Sequence, residues 1–173
     1  MAANQRISSS TTSTPSTSMS NPQTTRPKVL GIHHLKFAVS NLSFSLAWYS
    51  RVLGASRIPS LDHLDSSGTR FAVVCEMPDW GGLCLELREN AIRALDDRNW
   101  DAVTMVVRSR NDLAIWMKWL DLCGTKHSGV LTGMRGWLVV FEDPDGRRIR
   151  IYTQEDHSGR EKPSFNKHWL SDV

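Results

Sequence analysis

His34-Leu35-Lys36-Phe37-Ala38-Val39 and Ala102-Val103-Thr104-Met105-Val106-Val107 decide how this chain is read, because the second stretch repeats the first further along. Each alternates large apolar side chains with polar or small ones, the pattern of a half-buried strand. Each is followed by apolar residues at three-to-four spacing. In the first half these are Leu42, Leu46, Trp48, Tyr49, Val52 and Leu53. In the second they are Leu113, Ile115, Trp116, Trp119, Leu120 and Leu122. That spacing predicts amphipathic helices, capped by Ser40 or Asn41 and by Asn111 or Asp112, and ended by Gly54 and Gly124. Each half closes on a strand with a charge at its centre, Cys84-Leu85-Glu86-Leu87-Arg88 and Arg148-Ile149-Arg150-Ile151-Tyr152. The four matched positions read His34, Glu86, Ala102 and Arg150. Two of them could ligate a metal and two could not.

Working outward, Thr69–Glu76 and Trp137–Phe141 read as further strands, Arg57–Ser60 as a short one, and Asp143-Pro144-Asp145-Gly146 as a type I turn. Residues 90–100 are polar and read as the linker between halves. The fold class predicted is α+β, with one helix covering one side of a small sheet in each half. The helix takes the face bearing Leu35, Phe37 and Val39, or Val103, Met105 and Val107. The opposite face carries His34, Lys36, Cys84, Glu86, Arg88, Thr104, Arg148, Arg150 and Tyr152. Two curled sheets with these faces opposed would enclose a ligand groove.

Composition narrows the function classes. The chain has 173 residues and a formal net charge of +3, and its first acidic residue is Asp62. Its Lys and Arg are scattered rather than clustered, so no nucleic-acid partner is expected. No apolar run reaches the ~20 residues of a membrane span. The cysteines, Cys75, Cys84 and Cys123, show no C-x-x-C spacing, which argues against a disulfide framework and favours a reducing, cytoplasmic setting. Residues 1–27 are Ser/Thr-rich and nearly devoid of large apolar side chains, so they read as a disordered tail. Their basic, acid-free character is also that of a mitochondrial leader, though without its amphipathic helix. Residues 28–155 form the folded domain, with modules at about 28–90 and 100–155. Residues 156–173 are a polar C-terminal extension packed on it.

The ordered set of His34–Val39, Trp48-Tyr49 through Leu53-Gly54, Leu85-Glu86-Leu87, Leu122-Cys123-Gly124 and Phe141–Gly146 resembles the vicinal oxygen chelate superfamily. That group includes glyoxalase, extradiol dioxygenases, fosfomycin-resistance enzymes and bleomycin-binding proteins. The resemblance spans residues 29–155 and implies paired βαβββ modules forming an open, curled barrel around a ligand cavity, often completed in a homodimer. It also implies metal ligands on the first and last strand of each module. His34 and Glu86 occupy two of those positions. Ala102 cannot coordinate, and the Arg150 guanidinium has no lone pair to offer.

Three readings follow. In the first, no metal cofactor is used and the protein is a lyase, isomerase or cyclase acting on a small oxygenated organic substrate. His34 then moves the proton, Arg150 stabilises negative charge and Glu86 orients one or both. Lys36, Arg88, Thr104, Arg148, Tyr152 and Trp137 shape the pocket. In the second, the protein binds a small molecule without catalysis. In the third, a divalent metal is held by His34, Glu86 and a nonstandard group, as in a glyoxalase-like or dioxygenase-like enzyme. His33, His63, His127 and water are the third-ligand candidates, His33 the poorest because alternation points it away from His34. Asp101 is one residue out of register unless a bulge re-aims it. Against all three stands a purely structural Glu86–Arg150 ion pair.

Overall fold

The structure, a computed structural model, describes residues 26–166 and 168–170. The chain divides into two units, Met1–Gly31 and Ile32–Val173. Residues 26–31 of the first have neither helix nor strand, and the tail expected over 1–27 lies, up to residue 25, outside the described residues.

The expected repeat is present. The first module runs β1 (His34–Val39), α1 (Leu42–Leu53), β2 (Ser56–Arg57), β3 (His63–Leu64), β4 (Arg70–Glu76) and β5 (Cys84–Glu89). The segment read as a plain linker contains α2 (Ala91–Asp96), whose N-cap Asn90 accepts the Arg93 N–H. The second module runs β6 (Asp101–Val107), α3 (Arg110–Leu122), β7 (Leu131–Thr132), β8 (Trp137–Glu142) and β9 (Arg148–Thr153). The strand order is β1-β5-β4-β2 in one sheet, with β3 on β4, and β6-β9-β8-β7 in the other. In each, the first strand lies parallel to the last, a pairing that needs a crossover. The two-residue strands β2, β3 and β7 are too short to leave an alternation in the sequence.

Local chemistry sets the helix ends. Asn41 accepts the Phe44 N–H at 2.9 Å, and Gly54 (φ +70°) returns its N–H to the Tyr49 carbonyl. That left-handed conformation is cheap only without a Cβ. α3 starts earlier than expected. Its cap is Ser109, which accepts the Asp112 N–H while the Asp112 carboxylate accepts the Ser109 N–H at 2.8 Å. This is a reciprocal capping box, with Asp112 as its third residue rather than its cap.

Both sheets turn their apolar faces toward one shared core. Phe37, Val39, Leu85 and Leu87 meet Val139, Phe141, Ile149 and Ile151, together with residues of both long helices. The Trp48 ring lies 6.2 Å from that of Phe141, and Trp119 Nε1 donates to the Val52 carbonyl at 3.0 Å. A buried polar knot joins the modules. Tyr49 Oη and Arg147 Nη1 each donate to Asp143 Oδ2 at 2.7 Å, and Arg147 Nη2 donates to the Ala38 carbonyl at 2.7 Å. The same guanidinium stacks on Phe37 at 4.6 Å. Because side chains alternate along a strand, the polar faces turn away from this core. Within one chain the two sheets therefore do not oppose their polar faces across a common groove.

Candidate functional site

The polar face of the first module centres on Glu86. Its side chain is 3 % exposed, yet charged and imidazole groups surround it. Arg88 reaches Oε1 with Nη2 at 2.8 Å and Nε at 2.9 Å. Lys36 Nζ lies 3.3 Å from Oε2, His34 Nε2 lies 3.8 Å from the same oxygen, and His63 Nδ1 lies 3.9 Å from Oε1. Register explains the convergence: Lys36 is the cross-strand partner of Glu86, and His34 and Arg88 lie two residues along on the same face. Burial alone would raise the Glu86 carboxyl, but Arg88 and Lys36 more than reverse this and hold it below the ordinary glutamate range.

Hydrogen-bond chemistry constrains the histidines. Arg88 Nη2 contacts His63 Nδ1 at 3.3 Å. A guanidinium only donates, so in this contact the His63 nitrogen is the acceptor. His33 Nδ1 and His34 Nδ1 share a hydrogen bond at 2.9 Å, which orients the His34 ring with Nε2 toward Glu86. Lys36 and Arg88 keep about half of their side chains accessible, at 55 % and 43 %. Leaving the imidazoles aside, two fixed cations face one carboxylate. The face carries a surplus positive charge that a ligand anion can meet.

The second polar face is built differently. Arg150 is held bidentately by Asp101, with Nε to Oδ1 at 3.0 Å and Nη2 to Oδ2. Asp101 reaches it because the β6–β9 register shifts between Asp101 and Val103, the bulge that re-aims a side chain. Thr104 is exposed and pairs with Arg150 in register. Arg148 is buried and donates to the His168 carbonyl and to Asn99 Oδ1. Tyr152 Oη accepts the Arg135 and Gly136 N–H groups, each at 3.1 Å. Trp137, expected at the groove, lies on the opposite face within the core, its Nε1 donating to Glu161 at 2.9 Å.

The structure thus brings His34, Lys36, Glu86 and Arg88 together, adds His33 and His63, and separates all of them from Arg150. The Glu86–Arg150 pair expected across a groove does not form within the chain. Each carboxylate and guanidinium finds its partner in its own module. His63 had no positional signal because β3 is so short. An apolar cleft of about 530 Å³ runs along β6, lined by Leu53, Trp80, Leu83, Val103, Thr104, Met105 and Trp116; of the expected pocket residues it includes Thr104 and not the groups around Glu86 or Arg150.

The donor set does not suit a divalent cation. Both Glu86 oxygens already face fixed positive charges, and a metal there would sit against Lys36 and Arg88. Asp101 is committed to Arg150. Among the described residues, no three His, Cys, Asp or Glu side chains are grouped to hold a metal ion.

Comparison with known proteins completes the picture. Residues 31–151 match the Glyoxalase/Bleomycin resistance protein/Dioxygenase superfamily. A metallothiol transferase, FosB, of Bacillus licheniformis is 28 % identical over 153 residues, covering 82 % of this chain and 90 % of that protein. A mutant of the fosfomycin resistance protein FosX of Listeria monocytogenes, solved with Mn(II) and 1S,2S-dihydroxypropylphosphonic acid, aligns with a TM-score of 0.57 at 16 % identity. It covers 74 % of this chain and 93 % of its own. A glyoxylase/bleomycin resistance protein/dioxygenase domain of Frankia sp. EAN1pec gives 0.55 at 20 % identity, over 74 % of this chain and all of that one.

Proposed function

The chain belongs to the glyoxalase/bleomycin resistance protein/dioxygenase superfamily, and from that premise we propose that it is a small-molecule enzyme acting on an oxygenated organic anion through cationic side chains and an imidazole. The observation that carries this is the surplus positive charge around buried Glu86, with Lys36 and Arg88 half-accessible beside it. Glu86 anchors the two cations, and a ligand carboxylate or phosphonate displaces the outer contacts of Lys36 and Arg88 while the buried carboxylate keeps them aligned. His34, oriented by His33, is the proton carrier, since an imidazole can both accept and donate a proton. The phosphonate held by the FosX relative is an anion of this kind.

The proposed assembly is a homodimer. Among the described residues β1 and β6 each leave one edge unpaired, and the polar faces of one chain point apart. Two copies can oppose the Glu86 face of one to the Arg150 face of the other, which would complete the groove that one chain leaves open.

Titration of inorganic phosphate into the purified protein tests the reading. Binding should weaken by ~10-fold or more in Lys36→Ala and Arg88→Gln, since each removes a charge-assisted hydrogen bond. Phosphate binding that ignores both substitutions overturns it. Turnover of fosfomycin with added thiol that requires Mn(II) would favour the metal-dependent reading instead.

A further inference from the structure

The apolar cleft along β6 has a chemistry that the Glu86 face lacks. Among the described residues β6 pairs with β9 alone. The Val107 carbonyl accepts the Gln154 N–H at 2.8 Å, so Val107, and Met105 two residues back, turn their backbone groups toward β9. Thr104 and Val106 turn theirs to the open edge, because alternate residues of a parallel ladder bond to opposite sides. That edge borders the cleft, whose volume of about 530 Å³ suits a small molecule. The remaining walls come from Leu53 at the end of α1, Trp116 of α3 and the segment between β4 and β5. This segment is pinned by the buried Met77, whose carbonyl accepts the Trp80 N–H at 3.0 Å and whose N–H donates to the Leu83 carbonyl at 3.3 Å. Pro78 opens a single 3-10 turn (Pro78–Trp80), and Gly81 and Gly82 close it at φ +63° and +84°, a conformation that is cheap only for glycine. Asp79 and Trp80 are thereby fixed at the cleft. Among the described residues that line it, Asp79 is the one ionisable group, and its carboxylate has no ion pair or hydrogen bond. Asp79, Leu53 and Trp116 also border an adjoining trough of about 400 Å³, which continues over Ile115 and Trp119 to Arg51.

We propose that this cleft is a second ligand site, for a protonated amine carried on an aromatic or branched hydrocarbon body. Leu53, Leu83, Val103 and Met105 take the hydrocarbon. The indole rings of Trp80 and Trp116 attract a cation, and Asp79 supplies the counter-charge. The Thr104 and Val106 carbonyls at the open edge add acceptors. An ammonium brings three donors and no acceptor, which matches a carboxylate and two carbonyls. A carboxylate or phosphonate would instead meet Asp79 with no cation lining the cleft, a like-charge contact that selects against it. The site goes beyond the Glu86 reading, shares none of its residues and selects the opposite charge.

Two probes of one shape, 4-phenylbutylamine and 4-phenylbutanol, are titrated into the full-length chain at neutral pH and followed by calorimetry and tryptophan fluorescence. The first is an ammonium and the second is neutral. The amine should bind ~5-fold or more tighter than the alcohol, the effect of a charge-assisted bond to an exposed carboxylate. Asp79→Asn should bring the amine down to the level of the alcohol while the alcohol changes less than ~2-fold. Asp79→Lys should place the amine below the alcohol. Asp79 is exposed, so neither substitution disturbs the core. Trp116→Leu should weaken both probes by ~3-fold or more, through lost ring contact. Equal affinity for amine and alcohol in the parent overturns the inference, as does amine binding that ignores Asp79→Asn or probe binding that ignores Trp116→Leu. Amine affinity that fades as protein concentration rises and copies associate also overturns it, because a second chain then fills the cleft.

Discussion

Arg147→Met tests the buried knot that holds the two modules in their observed relation. Arg147 and Asp143 side chains are 1 % and 0 % exposed, so solvent screening does not soften their attraction. Methionine keeps most of the stem that lies on Phe37 but removes the guanidinium donors to Asp143 and to the Ala38 carbonyl. Removing one partner of a buried pair costs about 3–5 kcal/mol. The Tyr49 hydroxyl still donates to Asp143, which places the expectation near the lower end, about 3 kcal/mol at neutral pH. The loss should depend on pH with a definite sign. Burial already pushes the Asp143 carboxyl above its ordinary value, against the pull of Arg147 and Tyr49. Without the guanidinium the carboxyl moves further up, so the folded state binds the proton more tightly than the unfolded state does. Stability of the variant then falls as pH rises from the unfolded value, near 3.9, through the raised folded one, by at most about 1.4 kcal/mol per pH unit. Urea unfolding at several pH values between 5 and 8, with the slopes compared to exclude a change in cooperativity, measures this directly. Adding Asp143→Asn should recover about 2 kcal/mol, because the stranded carboxylate is gone. A cost under about 1 kcal/mol at neutral pH, or a gap between variant and parent that narrows as pH rises, would refute the reasoning.

Three further outcomes are expected. Ser109→Ala removes the hydroxyl half of the α3 capping box and should cost about 1 kcal/mol in denaturant unfolding. Glu86 has a lowered folded value, so its contribution is present above the unfolded value near 4.3 and fades as pH falls through the folded one. Glu86→Gln should therefore flatten the acid limb of stability between these values, and an unchanged limb would contradict the assigned ion pairs. His34→Asn should lower turnover by ~100-fold or more once a substrate is in hand while leaving anion affinity within a few-fold. Equal losses in both would make His34 a binding group rather than a proton carrier.

How much was legible beforehand varies with the physics of each part. Long alternating strands and long helices left clear periodicities, so α1 and β6 fall within a residue of their expected places and α3 within three, while β1 ends at the expected Val39 but begins at His34 rather than Val29. Their caps were harder. Several Ser, Asn and Asp residues stood near each start, and only geometry distinguishes Ser109 from Asn111. The co-facial set His34, Lys36, Glu86 and Arg88 followed from period-two alternation, which needs no tertiary knowledge. His63 did not, since a two-residue strand carries no period. Counting puts Asp101 one residue out of register unless a bulge re-aims it, and that bulge, a feature of pairing rather than of one strand, turns it onto Arg150.

The amino-acid sequence by itself determined the two modules, their helix-covered faces and the polar character of the opposite faces, because periodicity and capping act within a few residues. Only the tertiary structure decided which faces meet. Helix-side apolar surface from both halves gains more by merging into one core than the charged faces would by opposing each other, since desolvating charge is costly. That single packing choice keeps Glu86 from Arg150 within the chain. The fall of Trp169 onto Leu138 and Val140 is likewise a long-range contact that no local pattern announces.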